Sequence, residues 1–272
     1  MTIPFGLIYD DNNFLMLKYA SGYKVGEPSL IGTTFEQKNQ DISIPKSIEK
    51  LVNVLLIEAT NSKGPLKWNE EYKNKSLIFP FPDAYDEINY ISNFMKVTEG
   101  VNQINILNGS NSTREKILSE LSSGAYNIIY FIGNIFYSKV SPPESYFLSN
   151  DNKSTNFNDI MNILNSSKSN IKPLLFFNAQ YFEGEGKQLK NVLKHLGEIF
   201  SQFNYNRITG IISRTYPIFN DDARKIIGNF FINLFNNDNQ GIALLKARQQ
   251  CKSGLAISSF VNFGKPWDKL LP

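Results

Sequence analysis

A doubly wound α/β fold, with a mainly parallel sheet covered by helices on both faces, is what this sequence predicts. Three observations predict it: short apolar runs of the kind buried on both sides as strands, amphipathic stretches of helical period between them, and the alternation of the two along most of the chain. Strands separated by helical crossovers return to the same sheet edge and lie parallel. With 272 residues, 42% hydrophobic and 19% charged, the chain can bury a large core and is too apolar to stay disordered. The expectation is one domain over residues 1–272, with an N-terminal hairpin annex at about 1–45.

The annex rests on two apolar runs, 3–9 and 14–19, around the polar turn Asp10-Asp11-Asn12-Asn13. Residues 53–57 form the first buried-strand run. Asp83 can cap a helix whose Ile88, Ile91, Phe94 and Met95 recur at helical spacing, and residues 104–107 read as the next strand. Ser112-Thr113-Arg114-Glu115 has the capping-box pattern, with Ser112 as the cap, Ile117, Leu118 and Leu121 as the apolar stripe and Gly124 as the stop. Residues 126–131 are a strand that stops at Gly133, and 172–177 are its expected neighbour. The segment 188–203 places Leu189, Val192, Leu193, Leu196, Ile199, Phe200 and Phe203 on one helical face. A strand at 209–213, a helix marked by Ala223, Ile226, Ile227, Phe230, Phe231, Leu234 and Phe235, a shorter helix at 241–248 and a last strand at 256–263 complete the alternation. No internal repeat or heptad run interrupts it.

Charge and composition narrow the function. The net charge is +3, with both signs mixed along the chain, so neither nucleic acid nor a membrane surface is expected as a partner. One histidine and one cysteine cannot furnish the usual zinc ligand sets, and neither a metal nor another cofactor is expected. A single cysteine forms no intramolecular disulfide, the N-terminus lacks a signal-peptide layout, and no apolar run approaches the roughly 20 residues that cross a bilayer. The expected location is the cytoplasm.

In open sheets of this class, chemistry sits beyond the carboxyl ends of the strands, which directs attention to the residues after Phe131 and Phe177. The first place reads Tyr130-Phe131-Ile132-Gly133-Asn134, and the second Phe176-Phe177-Asn178-Ala179-Gln180-Tyr181. Together they resemble the CHAT domains, caspase-like members of the clan CD cysteine peptidases. The pattern of that family is a strand, Phe, a small residue, Gly and the catalytic His, and later a strand followed by Asn or Ser, Ala and Cys. Gly133, Asn178 and Ala179 keep it. The resemblance extends to Ile3-Pro4 and Leu17-Lys18-Tyr19, which are similar to the family's opening. It continues through Tyr216-Pro217-Ile218, Asp221-Asp222-Ala223-Arg224, residues 243–248 and Ser259-Phe260-Val261-Asn262-Phe263-Gly264.

The departures from that pattern bear on function. The family's catalytic histidine falls on Asn134, its nucleophilic cysteine on Gln180, and a frequent earlier histidine on Tyr130. Thiolate catalysis needs a group that ionises near neutrality and a base to exchange its proton, and carboxamides supply neither. They can still donate and accept hydrogen bonds, either bridging the old dyad or holding a peptide backbone. The resemblance thus implies a caspase-like pseudoprotease, a protein-binding or regulatory module in a prokaryotic defence or signalling assembly. Its peptide- or partner-binding set would be Gly133, Asn134, Asn178, Ala179, Gln180 and Tyr181, and its partner an active protease, or a repeat or sensor protein.

Two other readings use the same residues. An active cysteine peptidase would need a rearranged dyad of Cys251 and His195, the only thiol and imidazole. A doubly wound small-molecule binder would place its ligand by Gly133 and Gln180. Gly184-Glu185-Gly186-Lys187 is similar to the end of a phosphate-binding loop, but Tyr181 and Gln188 stand where that loop needs Gly and Ser or Thr. It reads as a connection into the following helix. Lys187, Lys190 and Lys194 read as a solvated helix face, and the many aromatics as core.

Overall fold

The alternation seen in the sequence becomes a single sheet with a helical layer on each side. The computed structural model describes residues 51–60, 84–183, 187–188, 190–216, 220–236, 238–251, 254–264 and 266–270. The expected hairpin annex, the Asp83 cap and most of the Gly184-to-Lys187 segment lie outside them. The strands are β1 (Val52–Ala59), β2 (Val101–Leu107), β3 (Ile128–Tyr137), β4 (Tyr146–Leu148), β5 (Ser154–Asn156), β6 (Leu174–Glu183), β7 (Lys187–Gln188), β8 (Gly210–Arg214) and β9 (Phe260–Phe263). The helices are α1 (Ala84–Lys96), α2 (Arg114–Ser123), α3 (Phe157–Ser166), α4 (Val192–Phe200), α5 (Asn220–Phe235), α6 (Gln240–Gln249) and α7 (Gly254–Ser259). The main sheet runs β2-β1-β3-β6-β8-β9. Every neighbouring pair in it is parallel except β8 and β9.

Side chains alternate across the sheet and feed two separate cores. On the first face Val54 and Leu56 of β1, Tyr130 and Ile132 of β3, Phe176 of β6 and Ile212 of β8 pack against α1, α5 and α6 through Ile88, Ile91, Phe230, Phe231 and Leu244. On the second face Leu55, Ile57, Ile129, Phe131, Leu175 and Phe177 pack against α2, α3 and α4 through Ile117, Leu121, Phe157, Ile160, Leu196 and Phe200. Aromatic rings do much of the filling. Phe176 meets the rings of Tyr130, Phe230, Phe231 and Phe260, while Phe177 stacks on Phe200 at 5.6 Å between centroids. Each such ring, fully buried, contributes about 1.5–3 kcal/mol.

Several elements differ from the sequence expectation, and four of them do so for a visible reason. The strand expected to stop at Gly133 runs on to Tyr137, because β6 also continues and pairs with it in register from Ile128↔Leu174 to Tyr137↔Glu183. The cap of α2 is Thr113 rather than Ser112: the Thr113 side chain accepts from the Lys116 backbone N–H at 3.3 Å. Ser112 is instead buried at the end of a short 3-10 turn. The helix expected over 188–203 spans only Val192–Phe200, since Lys187 and Gln188 pair antiparallel with Glu183 and Phe182, and Asn191 starts the helix with φ of 53°. The last strand begins at Phe260 rather than 256. Only Ile211 to Arg214 of β8 offer it partners, and the preceding residues close into α7.

Candidate functional site

The pairing of β3 with β6 brings the two motif positions together, although they are far apart in sequence. Asn134 and Gln180 are direct register partners on adjacent parallel strands, and Gly133 pairs with Ala179 one step below. Both carboxamides project from the first face, as do Tyr130 and Asn178 beneath them, because residues two apart along a strand share a face. Gly133 has no room for a side chain: a Cβ there would run into the carbonyl oxygen of Ala59 on β1. That close approach lets β1, β3 and β6 stay packed where the motif falls.

Below the carboxamides lies a buried polar network that ties three elements to one helix. Asn178 on β6 donates through Nδ2 to Glu87 Oε1 of α1, and the Tyr130 hydroxyl on β3 donates to the same oxygen. Arg214, at the end of β8, donates through Nη1 to Asn178 Oδ1 at 3.1 Å and through Nε to the Tyr216 carbonyl at 3.1 Å. Burial pushes the Glu87 carboxyl above its ordinary range, against the hydrogen bonds from Tyr130 and Asn178 and the charges of Arg214 and Arg224. The same burial, with Glu87 beside it, raises Tyr130 well above a free phenol. Asn178 thus passes a hydrogen bond from a guanidinium to a carboxyl across the sheet.

The six motif residues fall into two groups. Asn134 and Gln180 are half-buried, while Gly133, Asn178, Ala179 and Tyr181 are buried. Tyr181 faces the other core, where its hydroxyl lies 2.5 Å from Ser213 Oγ. Carboxamides at the first two positions can orient or hold a ligand but can neither ionise to a nucleophile nor relay a proton near neutrality.

His195 and Cys251 are not brought together. Cys251 follows α6 and packs in the first-face core. His195 sits on α4, over the second face, with its ring 4.2 Å from that of Tyr137 and its Nδ1 3.1 Å from Glu198 Oε2. The sheet separates them, so their placement does not favour the alternative of a rearranged dyad, and Cys251 is a buried residue, as the reading without a dyad has it. Glu198 also accepts from the Tyr137 hydroxyl, and these bonds, Tyr137 first and then His195, hold its carboxyl below the usual range. Burial, then Glu198, pushes Tyr137 up to about 12.

Sequence reasoning missed Glu87, Arg214 and the Tyr137–Glu198 pair. For Glu87 a signal existed: it sits one turn before Ile91, within the apolar stripe of α1 that also carries Ile88 and Met95. An acid on a core-facing stripe calls for a buried partner. Among the described residues no cluster of His, Cys, Asp and Glu is arranged to hold a metal ion, and no helix is long and apolar enough to cross a membrane.

The fold and site define an α/β protein with a doubly wound, mainly parallel sheet and a pair of facing carboxamides on adjacent central strands. No protein-family profile matches the sequence, and none of the curated proteins does. Among solved structures it is similar to the Arg-specific cysteine proteinase gingipain R, with 13% identity over 81% of this chain and a TM-score of 0.41. It is also similar to the complex of the pro- and mature domains of RgpB from Porphyromonas gingivalis, with 13% identity over 80% of this chain and a TM-score of 0.45. The chain spans about half the length of each, 48% in both cases.

Proposed function

We propose that this chain is a catalytically inactive, caspase-like pseudoprotease of the CHAT type that works as a protein-binding or regulatory module. One observation carries the reading. The two positions that match the family's histidine and cysteine lie directly opposite each other on β3 and β6, as a dyad must, and both hold carboxamides. A chance resemblance of two short motifs would have no reason to meet in register. The flanking Gly133, Asn178 and Ala179 are retained, so the scaffold of the site persists where its reacting groups do not. The placement of His195 and Cys251 on opposite faces of the sheet supports the same reading, because it leaves the only imidazole and thiol apart. The cytoplasm, and a partner that is an active protease or a repeat or sensor protein, belong to this proposal.

Peptide hydrolysis tests it directly. The purified protein, with Cys251→Ala and His195→Ala alongside, is incubated with a diverse peptide library and cleavage is followed by mass spectrometry. The expected result is no turnover in any sample. Turnover that disappears in either variant overturns the proposal and establishes an unconventional thiol enzyme.

A further inference from the structure

The chain contains a single Asn-Gly step, Asn108-Gly109, and it falls where β2 leaves the sheet. β1 and β2 pair as far as Ile57↔Leu107, so Glu58 and Asn108, each one residue further along, lie side by side. Glu58 Oε2 accepts the backbone N–H of Gly109 at 3.1 Å, and the Thr60 hydroxyl donates to Oε1 of the same carboxylate. The Asn108 carboxamide caps nothing in the short 3-10 turn that it begins. Gly109 is exposed, with φ of 50° and open space where a Cβ would stand, so solvent reaches the junction.

A weak nucleophile is activated when a base holds its proton and a third group orients that base, which here are the Gly109 nitrogen, Glu58 and Thr60. The electrophile, Cγ of Asn108, belongs to the adjoining residue, so the attack needs no encounter. We propose that Asn108 is a self-modification site, at which Glu58 promotes closure of the Gly109 nitrogen on the Asn108 side chain. As that nitrogen bonds to Cγ its proton passes to Glu58. The Cγ–Nδ2 bond then breaks, and the proton leaves with the departing nitrogen as ammonia. Water opens the resulting five-membered imide at one of its two carbonyls, leaving aspartate at position 108 or an isoaspartyl link that routes the main chain through the side chain. The fold makes the step slow: ψ of 164° at Asn108 turns the nitrogen aside from Cγ. Bonds from the Asn111 N–H to the Asn108 carbonyl and from Asn150 Nδ2 to the Gly109 carbonyl, both 2.9 Å, resist the rotation it needs. Either product sets a second carboxylate beside Glu58, and the repulsion loosens the turn at the end of β2. This site is independent of the binding role proposed above.

The test ages the purified full chain in neutral buffer, folded and in urea, and follows position 108 by peptide mapping with mass spectrometry, which reads the exchange of amide for acid. Isoaspartyl methyltransferase labelling counts the rerouted links. Glu58→Gln is aged alongside, because it keeps an acceptor for the Gly109 N–H and removes the base. The expected result is conversion at position 108 in the folded parent, at least about tenfold slower in folded Glu58→Gln, the low end of what a positioned base contributes or below it. In urea the two chains should convert at equal rates, since the contact with Glu58 is then lost. Three results would overturn the proposal: a folded parent that stays unconverted while the urea sample converts, folded Glu58→Gln that converts as fast as the parent, or a difference between the two that persists in urea. Should Glu58→Gln fail to fold, Glu58→Asp takes its place, since it draws the carboxylate back from Gly109 while keeping its charge, and an unchanged rate there is equally fatal. Cleavage of the chain after Asn108 without any acid at that position also removes the proposed route.

Discussion

Burial holds the carboxyl of Glu87 above its ordinary range, and this fixes the sign of a pH effect. A carboxyl that binds its proton more tightly in the folded than in the unfolded chain stabilises the fold fully below the unfolded value. That contribution is lost as pH rises through the folded one. Stability should therefore decline from weakly acidic towards neutral pH, and Glu87→Gln should flatten the decline while keeping an acceptor for Tyr130 and Asn178. Urea unfolding at several pH values checks this, with Glu87→Leu expected to lose roughly 1–3 kcal/mol for each donor it orphans. At this scale the sequence revealed Asn134 and Gln180, because they sit in local strings of small and aromatic residues that need no tertiary knowledge. It did not reveal Arg214 or the Tyr137–Glu198 bond, since each depends on which strand or helix becomes a neighbour.

The central strands show how one residue can set the limits of an element. Gly133 reads as a strand terminator in sequence, yet it lies in mid-strand, where the Ala59 carbonyl leaves no space for a Cβ. Gly133→Ala is expected to cost about 1–3 kcal/mol, as overpacking against backbone does, and chemical denaturation with an unchanged slope would register it. Element existence was legible wherever apolar period was strong, as in α5, but edges were set by partners. β9 can be no longer than the four residues β8 offers it, and α4 begins only after β7 has paired back on β6. The stretch containing β4, β5 and α3 went unread, although Phe157, Ile160, Met161 and Leu164 carry a helical stripe. Its strands are three residues each, too short to show a period.

For the molecule as a whole, the sheet acts as a wall between two cores, and residues close in sequence or alike in chemistry can end on opposite sides of it. The fold class was legible because strand and helix periods are local properties. The strand order β2-β1-β3-β6-β8-β9 was not, because each parallel pairing joins residues separated by a whole crossover. His195 and Cys251 illustrate the consequence: composition made them the only candidates for a dyad, and topology put the wall between them.

Cys251 has a practical use that follows from its place in the first-face core. The chain has one thiol, and it is buried. A thiol reagent can therefore label the native protein only when the packing of α6 and its neighbours opens, so alkylation becomes a site-specific clock for breathing on that side of the sheet. Labelling followed by mass spectrometry should be slow in the folded protein and accelerate with urea. If a bound segment steadies that half of the molecule, its presence should slow the clock without touching the sulfur.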